Sequence, residues 1–550
     1  MILALLACAP EPHPCPDGYT RNGEGNCIIA ASSDELVPLE APLLVRRMCL
    51  DLRGTLPSTA ELDAVEADAG ALPTIRDRYL ADAALEERLV SVFGETWHTL
   101  VDDVTLQAGE AGFDPADEYR YVRSVGEEPL RLLAHVGVRD VPFSEIVTAD
   151  YTMANEVLGA LWPLDYPADA TGWQVAHYTD DRPAAGVLST NGLWWRYTTN
   201  TSNANRGRAA AIARLLLCFD YLARPVSFEA TDQILDDAGT AAATREDPNC
   251  VTCHASLDPL ASTLFGFWWF EEHHLDEMAY YHASREPLGE STLGVEPGWF
   301  GTPIGGLADV GEQIAADERF PRCMAQTVAG SLWHRPVEVA DFDRISRLTT
   351  TFTDGDLRLK ALLTAITDDD VYRAGGFSAA ASEAVVTRER PRRMLTADQF
   401  ASAIADLTGF TWTWQGYDRL RNDSHGFRIL AGGVDGTHVR TPQRDPGLTW
   451  ALSAKRIAEA AADHAVTTEL VDGGEHRLFT RASLDTRPGD DAFLAELAAL
   501  HWRLEARRPD ADRLADDTAL WEAVDAASGP AAAWTGLVSV FLRDPDFLTY

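Results

Sequence analysis

The chain has 550 residues, of which 46% are hydrophobic and 24% charged, a globular composition too long for one core and suited to about three or four domains. It carries 85 acidic against 46 basic residues, a formal net charge of −39, which excludes nucleic acid and anionic lipid as surfaces it would bind by charge. No apolar run approaches the roughly 20 residues that span a bilayer.

Met1 to Ala7 is apolar and runs into Cys8, followed by Pro10, Pro12, Pro14 and Pro16. Leu5-Leu6-Ala7-Cys8 looks like a bacterial lipobox, in which the cysteine is lipidated and becomes the mature N-terminus. The basic region expected before it is missing, so the true translation start is expected upstream. Cys15 and Cys27 bracket a turn-rich loop with little apolar content, and a disulfide between them is the expected staple. Residues 1–33 thus read as leader and tether.

From Asp34 the pattern is mainly helical. Ser58 and Glu61 form a capping box, after which Leu62, Val65 and Ala69 share a face. Thr396 and Gln399 form another, followed by Phe400, Ala403, Ile404 and Leu407, with Gly409 as the stop. Three apolar stretches, 130–138, 357–366 and 534–542, each run into an acidic break and then one aromatic: Phe143, Tyr372 and Phe547. They read as units that close a domain by folding the aromatic back onto its core. Helical domains are therefore expected over 34–178, 179–375 and 388–550, with the Gly-, Ala- and Ser-rich stretch 374–384 as a linker.

The one chemical signature lies in the middle domain. Asn249-Cys250-Val251-Thr252-Cys253-His254 contains Cys-x-x-Cys-His, the attachment pattern of c-type haem. Two thiols three residues apart on one turn reach the two vinyl groups of a porphyrin, and the following imidazole supplies the proximal ligand to iron. One covalent haem c is therefore expected at Cys250, Cys253 and His254. A redox disulfide or half of a zinc site are the competing readings, but neither a strand–helix unit nor a second close Cys/His pair accompanies the motif. Leu264 to Phe270 then supplies an apolar aromatic wall suited to a porphyrin face. Met278 and Met324 are candidate sixth ligands, with His273, His274, His282 and His334 as alternatives. Among Cys49, Cys218 and Cys323, one bridge and one free thiol is the simplest count.

Several segments together resemble the planctomycete-type cytochrome c domain family and its associated domains. They are Arg46-Arg47-Met48-Cys49-Leu50-Asp51-Leu52-Arg53-Gly54 through Pro57, Asn205-Arg206-Gly207-Arg208 through Leu216-Leu217-Cys218, and Cys250 through Asp258-Pro259-Leu260. Phe320-Pro321-Arg322-Cys323 through His334-Arg335 and Arg392-Arg393-Met394-Leu395-Thr396 add to them. The chain departs from the family at His334, where glycine is usual, and at Cys49, where a plain apolar residue is usual. The resemblance implies a mainly α, multi-domain exported protein with a helical c-type cytochrome-like domain at its centre, and Cys218 paired with Cys323. It supplies no substrate.

The function expected is electron transfer by a monohaem protein anchored by lipid to the bacterial cell envelope, exchanging electrons with a more basic redox protein. A haem enzyme of peroxidase or oxidase type, with an open sixth position, is the alternative. A surface-binding or scaffold protein, using aromatics such as Trp412 and Trp414 beside an auxiliary haem, is another. No Gly-x-Ser-x-Gly, Walker loop or His-Glu-x-x-His is present.

Overall fold

The computed structural model describes residues 20–21, 27–28, 35–100, 112, 114, 118–223, 237–270, 274–422 and 426–550. Cys8 and Cys15 lie outside these residues, and with them the expected lipid anchor and the Cys15–Cys27 bridge. Thr20–Arg21 and Cys27–Ile28 pair as a short antiparallel hairpin. The other described residues are mainly helical, and among them the sheets are all two-stranded.

The opening helix, Ala41–Arg53, has proline in its first turn and stops at Gly54, whose φ of 75° lets the cap amide reach the carbonyls of Cys49 and Leu50. It is buried on both sides. Leu44, Val45, Met48, Cys49 and Leu52 join an apolar cluster that runs from Leu36 to Val385 and takes in Trp502 and Ala506, whereas Leu50 and Leu56 join a second cluster otherwise formed by residues 394–550. The division expected at residue 178 falls inside the first cluster.

Each cluster is closed by pairing of its chain ends. Leu36–Pro38 lies antiparallel to Ala374–Phe377, in the register Leu36 to Phe377 and Val37 to Gly376. Residues 374–377, expected as linker, are thus the strand that seals the first body, because their backbone groups find partners 336 or more residues earlier. In the second body Arg393 and Tyr550 exchange backbone hydrogen bonds of 2.8 Å, and Leu395 donates to Leu548. Phe143, Tyr372 and Phe547 are all fully buried, each folded back after its acidic break.

Local signals hold where their partners are local. Ser58 and Glu61 cap Thr59–Ala67 reciprocally, as do Thr396 and Gln399 for Ala397–Thr408. Ala69 does not share the face of Leu62 and Val65. The helix ends at Ala67, and the Asp68 side chain accepts from the Gly70 amide, turning Ala69 outward into a 3-10 turn.

Charged residues fill the junction between the bodies. Arg46 donates to the carbonyls of Phe547 and Thr549 at 2.6 and 2.9 Å, and Arg47 to those of Tyr372 and Ala374 at 2.6 and 2.8 Å. Asp51 accepts from the Tyr550 hydroxyl at 2.6 Å and from Gln399 at 3.2 Å, with Arg393 at 3.4 Å. Buried charges persist only when satisfied in this way. His334 caps Arg319–Trp333 at a φ of 55°, the left-handed region that favours glycine, and its Nε2 meets the Tyr550 hydroxyl at 3.0 Å.

Candidate functional site

The Cys-x-x-Cys-His segment opens the helix Pro248–Ser262. Asp247 caps it by accepting from the Asn249 amide at 2.8 Å, and Pro248 sits in the first turn, where no intrahelical donor is needed. Cys250, Cys253 and His254 are then spaced i, i+3 and i+4, which places them on one face. Leu257, Leu260 and Ala261 are buried in the first cluster. The helix packs against Arg206–Leu217, Asp237–Glu246 and Leu288–Leu293. Pro259 meets the hairpin Gly298–Trp299/Thr302–Pro303 so closely that a Cβ on Gly298 would lie 3.0 Å from its ring.

Both motif cysteines are free thiols and partly accessible, and Cys253 leans on the apolar cluster. Burial, with help from Asp247, raises the Cys250 thiol above its ordinary pKa. His254 Nδ1 lies 2.8 Å from Asp258 Oδ1. Arg206 grips the same carboxylate with two bonds, Nε to Oδ1 at 2.7 Å and Nη2 to Oδ2 at 2.9 Å. Burial would raise the Asp258 pKa, but the hydrogen bonds from His254 and Arg206 outweigh it and hold it below the ordinary carboxylate value. An ionised carboxylate only accepts, so His254 carries its proton on Nδ1. Its Nε2 lone pair is engaged by no protein group among the described residues, which leaves it available to a metal.

The Arg206–Asp258 clamp is the part of the site that residue types alone did not assign. The signal was the i, i+4 spacing of His254 and Asp258; Arg206, 52 residues from Asp258, has no local signature. Arg208 works on the neighbouring aromatics. Its guanidinium donates to the Phe267 carbonyl at 2.8 Å and lies 4.9 Å from the Trp269 ring.

The aromatic segment divides. Phe265 stacks on Trp268 at 5.0 Å, and Phe267 meets Trp194 and Tyr281, so these rings are core. Phe270, expected in the same wall, is 66% exposed beneath Arg285, because the chain leaves the core after Trp269. Met278 and Met324 are both buried, Met278 where its carbonyl accepts from Trp195 and Met324 on the helix Arg319–Trp333. His282 Nε2 is 3.0 Å from the Glu277 carbonyl, His274 begins the short helix Leu275–Met278, and His273 lies outside the described residues. His334 belongs to the junction with Tyr550.

Cys218 and Cys323, the pair the resemblance implies, are disulfide-bonded with Cα atoms 5.2 Å apart, joining the helix Arg206–Leu217 to Arg319–Trp333. Cys49 is a free, buried thiol that burial pushes up to about 12, so it is inert packing. Among the described residues no three His, Cys, Asp or Glu side chains gather as a metal site of their own, and no helix is long and apolar enough to cross a membrane.

The fold thus defines a mainly helical protein of two closed bodies, the first carrying a paired-thiol and imidazole site. The chain matches no family model, no curated protein and no solved structure.

Proposed function

We propose that this chain is an exported monohaem c-type cytochrome-like protein of the planctomycete-type family, passing electrons through one haem c linked to Cys250 and Cys253 with His254 as proximal iron ligand. The observation that carries the reading is the His254 imidazole, fixed at Nδ1 by an Arg206-clamped carboxylate while, among the described residues, Nε2 and the two thiols beside it have no partner. The donor set fits the group: the thiols would hold the porphyrin and the imidazole its iron. When bound, the haem supplies a one-electron couple.

The chain's own residues orient and tune. Asp258 fixes the tautomer and makes the imidazole a stronger donor, which favours the oxidised metal. Arg206 keeps Asp258 ionised and prevents it from rotating away. The Cys218–Cys323 bridge supports export, since such bonds persist in oxidising compartments. Anchoring through Cys8 at the cell envelope and a more basic redox partner complete the proposal, the partner on the strength of the −39 net charge.

The test is maturation in a host with haem-attachment machinery, followed by haem staining on a denaturing gel. Stain in the native protein that vanishes on replacing both Cys250 and Cys253 by serine supports the assignment. Stain that survives the double substitution, or native protein without haem, overturns it. Full carbon monoxide binding and peroxide turnover by the native protein would replace the carrier by an enzyme.

A further inference from the structure

We infer that a cavity of about 310 Å³ between the two bodies binds a small organic monocarboxylate through Arg88. The cavity lies among the opening helix, the helices Ala84–Trp97 and Glu118–Arg139, the helix Ala397–Thr408 and the hairpin Thr413–Trp414/Tyr417–Asp418. Its size falls at the lower end of small-molecule sites.

The charges lining it are paired, Arg123 with Glu127 among them, and one guanidinium keeps donors without an acceptor. Glu87 and Glu127 are both bound by Arg131, at 2.6 and 2.7 Å. Asp398 accepts from Arg421 at 3.2 Å, and Asp418 faces the same guanidinium at 3.8 Å. Arg53 is paired outward with Asp82 at 2.9 Å. Arg88 is 6% exposed, and its Nε donates to the Asp51 carbonyl at 3.1 Å. Among the described residues its two Nη groups have no hydrogen-bond acceptor and no carboxylate within ion-pair distance, Asp398 feeling the charge from farther off, and the side chain lines the cavity. A buried guanidinium presenting a free fork of donors matches a carboxylate bidentately.

The acids on the wall limit the charge of the ligand. A dianion such as phosphate would sit among four carboxylates, whereas a monocarboxylate takes up the Arg88 donors with the least added repulsion. The Tyr119 and Tyr417 rings, 4.9 Å apart on the wall, offer a face for the body of the ligand, and Ser402 a hydroxyl.

This site is independent of the haem. Titration calorimetry on the full-length protein would use benzoate and glucuronate as probes, benzamide and glucose as their neutral counterparts, and inorganic phosphate as the dianion. At least one carboxylate is expected to bind tenfold or more tightly than its neutral counterpart, with that margin lost in Arg88→Gln. Should Arg88→Gln fail to fold, Ser402→Leu, which fills the cavity, is expected to abolish the same binding. Neither carboxylate exceeding its neutral counterpart, a preference for phosphate, or binding that survives whichever variants fold would overturn the inference.

Discussion

His254 in the first body and His501 in the second each stand four residues before a carboxylate on their own helix, yet their surroundings assign them opposite roles. His254 has one nitrogen bound, to Asp258, and its side chain is 23% exposed. His501 has both nitrogens bound, Nδ1 to Glu505 at 2.9 Å and Nε2 to Asp517 at 2.7 Å, and is 1% exposed. Burial opposes a charge on His501, but the hydrogen bonds to Asp517 and Glu505 outweigh it and raise its pKa to about 9. The lesson concerns lone pairs: a histidine held by carboxylates on both sides is a locked cation, and one held on a single side is an oriented ligand.

The comparison breaks most completely at the thiols. Replacing Cys250 and Cys253 together by serine removes all covalent haem on a stained gel, whereas His501→Gln leaves staining unchanged; any loss of staining in the latter would erase the distinction drawn here. The second expectation is that His501→Gln destabilises the second body by roughly 3–5 kcal/mol, as when one partner of a buried ion cluster is removed, measured by denaturant unfolding.

The same cluster makes a pH prediction. The folded pKa of about 9 lies above the value of 6.5 for free histidine, so the folded state binds the proton more tightly. The stabilisation is complete below about pH 6.5 and fades as pH rises through about 9. The melting temperature of the second body should therefore fall across that window in the native protein and stay flatter in His501→Gln. Next in size, replacing Cys218 and Cys323 by alanine should cost the first body about 2–5 kcal/mol, because the bridge closes a separation of 105 residues around the motif helix; equal unfolding midpoints for this variant and the native protein would show that the bridge does not brace it. Smallest is Asp258→Asn, which keeps an acceptor for His254 Nδ1 but removes the charge. In haem-loaded protein the reduction potential should rise by roughly 60 mV, a tenfold change in the relative affinity for the two oxidation states. An unchanged potential in redox titration would reduce the Arg206 clamp to a packing role.

Much of this chain was decided within one or two helical turns, and that part was readable. The Ser58–Glu61 and Thr396–Gln399 boxes, the stop at Gly409, and the shared face of Cys250, Cys253 and His254 each depend on neighbours a few residues away. So did the burial of Phe143, Tyr372 and Phe547, since an aromatic just after an apolar helix end has that core to return to. Ala69 shows the limit even there, because one Asx-type bond at Asp68 overrode the helical period.

Only the tertiary structure decided what lies across from what. It brought Arg206 to Asp258, paired residues 374–377 with 36–38, turned Phe265 and Phe267 into core while leaving Phe270 exposed, and set His334 against Tyr550. Among the described residues it also left the Arg88 Nη groups without a hydrogen-bond acceptor, beside acids that all found a donor or a cation. Caps and hydrophobic period are properties of a segment, fixed by the order of its residues. Pairings across 52, 216 or more residues depend on how packed helices and strand ends register against one another, and that information resides in the fit of whole surfaces.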